Sequence, residues 1–148
     1  RPWVDIGCST FLTDVAYPYV CPLLGVYRDE ESTRVVTELA SGGDLFAWAR
    51  NCEYKPGLQR EAAVLPLARQ IFDAVRMLHD LGIVHCDVSA ENLLLSRSTS
   101  SAFRMPLKIQ LIDFGMSTIS RFAPAGDRGK PTYQAPEAHS GEAFDGFL

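Results

Sequence analysis

Two stretches of the chain hold the residues whose types and spacing could do chemistry. Ile83-Val-His-Cys-Asp-Val-Ser-Ala-Glu-Asn-Leu-Leu-Leu95 sets Asp87 and Asn92 five positions apart, after a histidine and before three leucines. Leu111-Ile-Asp-Phe-Gly115 sets a second acid, Asp113, at the end of an apolar run. An acid and an amide on one loop, with another acid on a separate strand, suit phosphoryl transfer from ATP and Mg2+. One carboxylate orients the attacking hydroxyl, while the amide and the other carboxylate hold the metal ions that neutralise the phosphates. Asp87 would be the base, and Asn92 and Asp113 the metal ligands. The plainer alternative has Asp87 and Asp113 capping turns and Asn92 opening a strand. A third stretch, Tyr133-Gln-Ala-Pro-Glu137, follows further along the chain.

The elements that must position these groups can be read from periodicity. Apolar residues at Val64, Leu67, Ala68, Ile71, Phe72, Val75 and Leu78 have helical spacing, predicting a helix over Glu61–Leu81 closed by Gly82. Pro66 falls near its start, where a lost amide costs little, and residues 51–60 form a polar loop. This helix delivers the loop that carries Asp87. Asn92–Ser96 reads as a strand, and the alternating Leu107–Ile112 as its hairpin partner leading to Asp113. Between them, residues 96–106 form a Ser-rich loop. Twenty-one positions separate Asn92 from Asp113.

Upstream, residues 1–16 read as the end of a helix. Tyr17–Tyr27 and Arg34–Leu39 form a hairpin around the polar turn Arg28–Thr33. Two glycines, Gly42 and Gly43, break the second strand. Asp44 then suits a helix N-cap ahead of Leu45, Phe46 and Trp48.

Taken together, the motifs resemble the eukaryotic protein kinase: the catalytic loop around Asp87, the Asp113-Phe114-Gly115 metal site, and the Ala135-Pro136-Glu137 end of the activation segment. The resemblance implies an α+β, two-lobed kinase-like fold, truncated to the end of the N-lobe (1–39), a hinge (40–43), and the first half of the C-lobe (44–148). It implies that Glu38 and Ala40 offer backbone contacts to adenine, that Asp44 lies near the ribose, and that Thr37 guards the back pocket. Leu94 would form the floor under adenine. For Asp44 and Leu94, a helix cap and a core leucine are equally good readings. The helix at 1–16 should carry a Glu for the ATP-binding Lys; its acids are only Asp5 and Asp14, and the ion pair has no place.

Three departures from the kinase pattern carry information. Cys86 stands where an Arg normally meets an activation-loop phosphate, so the receiver for that switch is lost. Activity independent of phosphorylation at Ser117, Thr118, Ser120 or Thr132 is therefore expected, and a Ser117/Thr118/Ser120 triple Ala variant should stay active. Ser89 stands where Ser/Thr kinases have the Lys that meets the γ-phosphate, and Lys130 where they have a Thr. The two groups look exchanged, with Lys130 reaching the phosphate and the Ser89 hydroxyl holding Asp87. That would keep a positive charge where the transition state needs one. The alternative is an exposed Lys and an incidental Ser. His-Cys-Asp-Val-Ser-Ala-Glu-Asn with Gly-Lys-Pro-Thr-Tyr is similar to the divergent FIKK kinases of apicomplexan parasites, which share these departures and tolerate inserts.

The resemblance implies a Ser/Thr protein substrate, and Glu91 and Asp44 would favour basic residues near its hydroxyl. A pseudokinase or kinase-like interaction module is the competing reading, kept open by the lost Arg and Lys. Retention of Asp87, Asn92 and Asp113 favours catalysis. A small-molecule phosphotransferase is disfavoured by Asp-Phe-Gly and Ala-Pro-Glu.

The 148 residues are 47% hydrophobic and 22% charged, as in ordinary globular domains. A net charge of −4 gives no hint of nucleic acid or anionic membrane as partner. No apolar run approaches the roughly 20 residues of a membrane span. Cys8, Cys21, Cys52 and Cys86 lack metal or disulfide spacing, which fits reduced thiols and a cytoplasmic default, with export open if an upstream signal exists. Neither a Gly-rich loop nor a Val-Ala-Ile-Lys-like strand occurs in the chain. A fragment inactive by itself is expected, with exposed apolar surface on the long helix and near Phe144–Leu148.

Overall fold

In the computed structural model, which describes residues 1–97, 107–123, 129–139 and 143–147, a proline at the first position opens helix α1 (Pro2–Asp14). Pro is preorganised there because the first amides have no helical partner. Helix α1 ends at Val15, and Ala16 turns the chain with φ of 54°. Its inward side chain is Leu12, fully buried. The Thr13 hydroxyl accepts from Leu23 N at 2.9 Å, tying α1 to the start of strand β1 (Leu23–Arg28). Strand β2 (Thr33–Thr37) returns antiparallel to β1, as its β-branched residues predict.

Glu38 N–H donates to Pro22 O at 2.9 Å, and the chain then crosses to the second half of the molecule through Gly42 and Gly43. Gly42 N–H donates to Leu95 O at 2.7 Å, and Leu95 N–H donates to Gly43 O at 2.8 Å. A Cβ at position 42 would lie 2.6 Å from Leu95 O, so only glycine permits this approach. Asp44 caps helix α2 (Leu45–Arg50), accepting from Ala47 N at 2.7 Å.

Helix α3 (Leu58–Asp80) begins three residues before the expected Glu61, so residues 58–60 are helix rather than polar loop. Pro66 therefore lies well inside it, contrary to the expectation of a place near the start. It is tolerated because the first turns are exposed: Leu58, Val64 and Leu65 face outward. The buried face runs through Leu67, Gln70, Ala74 and Leu78. Phe72, expected on the apolar stripe, is 76% exposed, in keeping with the apolar surface expected on this helix. Gly82, with φ of 76°, donates to His79 O, and Ile83 donates to Leu78 O, which closes the helix.

Strand β3 (Leu93–Arg97) pairs antiparallel with β4 (Leu107–Leu111), with Leu94 opposite Gln110 and Leu93 opposite Leu111. The expected insert at 96–106 lies mostly outside the described residues, β3 itself running on to Arg97. Buried Gln70 locks α3 to β4 with both ends of its amide: Nε2 donates to Leu107 O and Oε1 accepts from Ile109 N. Leu111 N–H also donates to Tyr19 O at 2.7 Å, which joins the N-terminal segment to the same hairpin.

The core lies between these pieces, built from Leu12, Tyr17, Val20, Leu67, Leu78, Leu95, Ile109, Leu111 and Phe114. Tyr17 Oη donates to Ala74 O at 2.7 Å, so its polar tip is satisfied inside. A last short pair joins β5 (Phe122–Ala123) to β6 (Phe144–Asp145), with Arg121 Nε donating to Asp145 at 2.8 Å. Phe147 meets His79 of α3 edge-on at 5.0 Å, so this end of the chain partly packs where exposure was expected. Leu148 lies outside the described residues. Mixed helix and antiparallel strand in this order is the α+β arrangement expected of part of a kinase domain. No helix among the described residues is long and apolar enough to cross a membrane.

Candidate active site

The loop after α3 is fixed by His85, buried at 2% exposure. Asp87 N–H donates to its Nδ1 at 3.2 Å, which places the imidazole proton on Nε2, 3.2 Å from Ile112 O. One neutral ring thus spans the Asp87 loop and the residue before Asp113. Burial pushes the His85 pKa down; the Ile112 carbonyl and the carboxylates of Asp87, Asp113 and Asp5 push the other way. Its ring also rests on Phe114, with centroids 4.9 Å apart. Sequence reading passed over His85, which the loop motif itself contains.

Cys86 adopts φ of 64°, a left-handed conformation uncommon for a side chain with a Cβ. It turns the backbone so that the next carboxylate faces Asn92. Asn92 Nδ2 donates to Asp87 O at 2.9 Å and to Asp87 Oδ2 at 3.0 Å. Both amide hydrogens are directed at Asp87, so Asn92 Oδ1 is the atom left to face a cation. Ile112 N–H donates to Asn92 O at 3.0 Å, which sets the Asp113 turn beside this amide.

Asp113 itself is exposed and left-handed, with φ of 62° and ψ of 68°. Its Oδ1 accepts from Gly115 N at 3.3 Å. From helix α1, Asp5 Oδ1 accepts from Phe114 N at 2.8 Å. That contact was not legible beforehand, since 109 positions separate the partners.

Lys130 approaches from the other side. Its backbone N–H donates to Asp87 Oδ1 at 3.1 Å. Its Nζ donates to Ser89 Oγ at 3.0 Å and lies 3.2 Å from Glu91 Oε2. The expected proximity of Lys130, Ser89 and Asp87 is present, but the pairing differs in one respect. The Ser89 hydroxyl, expected on Asp87, serves Lys130 instead, and Asp87 is held by Asn92 and by the Lys130 backbone. Ser89, 1% exposed, accepts from the Lys130 amine, and its hydroxyl is shared with the Glu91 carboxyl rather than with Asp87. The Glu91 carboxyl is held below its usual range by its own backbone amide, and further by Lys130 and Ser89. Glu91 and Asp44, the acids expected to attract basic substrate residues, are thus engaged with Lys130 and the α2 cap. Asp87, Gly129 and Lys130 lie together on the wall of a cavity of about 220 Å³, which Leu78 and His79 of α3 complete.

The remaining expected site residues lie along the crossing and the β3 hairpin. Asp44 forms an isolated backbone bridge with Leu94, half-exposed on β3. Glu38 is exposed and Ala40 half-buried just before this bridge. Thr37 is exposed, opposite Leu23. Ser117, one of the hydroxyls considered as a phosphate acceptor, is buried and donates to His85 O at 3.2 Å.

A metal site must fit these donors. Asn92 Oδ1 and the Asp113 carboxylate are hard oxygen donors on backbone segments joined by the Ile112 N–H to Asn92 O bond. Mg2+ prefers such ligands in small number, completing its shell with phosphate and water. No cluster of three or more His, Cys, Asp or Glu side chains suited to a metal occurs among the described residues. The pair therefore fits a cation that arrives with a phosphate rather than one caged by protein alone.

Comparison with known proteins bears on the family of the chain. A family model described as the protein kinase domain matches residues 9–145. The chain is 34% identical over 138 residues to calcium-dependent protein kinase 8 of Oryza sativa subsp. japonica, covering 88% of this chain and 23% of that protein. It is 33% identical over 127 residues to calcium/calmodulin-dependent protein kinase type 1 of Macrobrachium nipponense, covering 85% and 34%. It is 36% identical over 126 residues to a calcium/calmodulin-dependent serine/threonine-protein kinase of Malus domestica, covering 84% and 28%. The chain therefore spans between about a quarter and a third of the length of these relatives. On the strength of a match across nearly its whole length, the chain belongs to the protein kinase domain family.

Proposed function

We propose that this chain supplies the phosphotransfer centre of a Ser/Thr protein kinase, moving the γ-phosphate of ATP to a hydroxyl of a protein substrate. The observation that carries the reading is the double hydrogen bond from Asn92 to Asp87, tied through His85 to the Asp113 strand. It holds Asp87 as an acceptor for an incoming hydroxyl and leaves the Asn92 oxygen as the donor for a cation. Mg2+ bound with the triphosphate supplies neutralising charge. The chain's own residues do the positioning: Asp87 accepts the hydroxyl proton, while Asn92 and Asp113 hold the metal ions. Lys130, seated on Ser89 and Glu91, is the cation available to the transferring phosphate.

For the nucleotide, the backbone bridge between Asp44 and Leu94 supports a base-binding edge at residues 38–44, with Leu94 as its floor. Because Glu38 N–H is committed to Pro22, its carbonyl is the group it can offer. Ala40 supplies the neighbouring backbone contact, Asp44 lies near the ribose, and residues 1–39 and 44–148 act as the two lobes. Cys86 in place of Arg, together with burial of Ser117, supports activity without activation-loop phosphorylation. It also supports the kinship with the FIKK kinases that the loop motifs resemble. Because the chain spans a minor part of its relatives, the 148 residues alone are proposed to be inactive.

The test is phosphorylation of Ser- and Thr-containing peptides by the full-length gene product with ATP and Mg2+, beside Asp87→Asn. Turnover abolished by that substitution supports the reading. Nucleotide binding with no phosphotransfer in the parent protein would replace it with the pseudokinase reading.

A further inference from the structure

Among the polar contacts that join distant parts of this chain, one is not accounted for by the phosphotransfer centre as described. Asp5, in the first turn of α1, accepts the Phe114 amide at 2.8 Å. That amide belongs to the turn whose preceding residue, Asp113, is left-handed at φ of 62°, a conformation uncommon for a residue with a Cβ. Within the turn itself Gly115 N–H donates to Asp113 Oδ1 at a long 3.3 Å, and Ser117 N–H donates to Phe114 O at 2.9 Å; neither engages the Phe114 amide. A second constraint also comes from α1. A Cβ on Gly115 would lie 3.3 Å from Arg1 N, so the start of the helix is packed directly against the turn.

From these contacts we infer that Asp5 is the positioning residue for Asp113: by holding the Phe114 amide, it keeps the left-handed turn that presents the Asp113 carboxylate beside Asn92. The inference rests on the reading of Asp113 as a metal ligand. A carboxylate that accepts from a main-chain N–H next to a ligand limits how that ligand can rotate, and such supporting contacts commonly change metal affinity or activity about 10- to 100-fold when removed. The charge of Asp5 is also well placed for its own stability, at the positive end of α1. What Phe114 N–H requires, however, is only an acceptor oxygen. Asn at this position retains one; Ala does not.

The experiment uses the full-length protein carrying Asp5→Ala, Asp5→Asn or Asp113→Ala, each checked by thermal unfolding. The first readout is backbone hydrogen exchange over residues 111–116 without nucleotide or metal. The second is kcat, KM for ATP and the Mg2+ midpoint. Asp5→Ala should speed exchange of this turn, lower kcat about 10-fold or more, and raise the Mg2+ midpoint, with a smaller change in KM for ATP. Asp5→Asn should restore exchange and turnover to within about threefold of the parent, since it keeps the acceptor. If Asp5→Ala does not fold, Asp5→Ser is read in its place, because its hydroxyl sits one bond short of the Phe114 amide. An Asp5→Ala protein with parental exchange, kcat and Mg2+ midpoint, beside an inactive Asp113→Ala, would overturn the inference and leave the proposed function standing. An Asp5→Asn protein as impaired as Asp5→Ala would overturn it too. Full activity in Asp113→Ala would instead remove the reading beneath it.

Discussion

Asn92 grips Asp87 twice, through the backbone carbonyl and the carboxylate of the same residue. The two side chains are therefore one unit, and neither can be altered without disturbing the other. Asn92→Ala removes both bonds and leaves the Asp87 carboxylate held by the Lys130 backbone N–H without its second anchor. Turnover of the full-length protein should fall by about 100-fold or more, as loss of a positioned proton acceptor does. Stability should fall by about 1 kcal/mol for the hydrogen bonds lost at this half-buried pair. Steady-state kinetics and urea unfolding check the two effects separately.

Lys130 sits between Ser89 and Glu91. Its amine touches Ser89 and Glu91, so Lys130→Ala should lower kcat more than it raises KM for ATP. The same substitution frees the Glu91 carboxylate. Peptides with an Arg or Lys near the target hydroxyl should then show a lower KM relative to neutral peptides. Equal losses across charged and neutral peptides would show that Glu91 does not face the substrate.

Gly129 is required on two counts. Its φ is 77°, and a Cβ there would lie 2.6 Å from Cys86 O and 3.1 Å from Asp87 Oδ1. Gly129→Ala must therefore push residues 129–130 away from Asp87 and break the Lys130 N–H contact. A drop in kcat larger than the drop in unfolding stability is expected. Gly82→Ala serves as the contrast, since position 82 shares a positive φ but has open space around it.

The pH dependence of stability follows from His85. Burial holds its folded pKa below the ordinary 6.5, so the unfolded chain takes up a proton more readily than the folded one. Stability is thus unaffected above that value and falls as pH drops through it. Half-buried His79, lowered in the same direction, adds to the slope. Urea midpoints measured from pH 7.5 down to about pH 5.5 should decline in the parent, and decline less in His85→Gln.

Much of this architecture is written in local patterns. The Asp87–Asn92 spacing, the strand pair around Asp113 and the long helix before them each depend on residues close in the chain. The start of α3 at Leu58 escaped because its first turns are exposed and show no apolar stripe. Pro66 seemed a boundary for the same reason. The Asp5–Phe114 and Gln70–β4 contacts escaped for a different one: each joins a polar side chain to backbone far along the sequence, and backbone partners leave no trace in residue type. Cys86 likewise gives no sign of its left-handed turn, which the His85 and Asn92 hydrogen bonds impose.

One pairing has a kinetic corollary. Val84 and Thr118 exchange two backbone hydrogen bonds, at 2.8 and 2.9 Å, directly after the turn that buries Phe114. Outward displacement of Phe114, 1% exposed, is expected to require that rung to open and Ser117 to release His85 O. Such a movement is all-or-none rather than a gradual wobble, so compounds that need Phe114 displaced should associate slowly and, once seated, dissociate slowly as well.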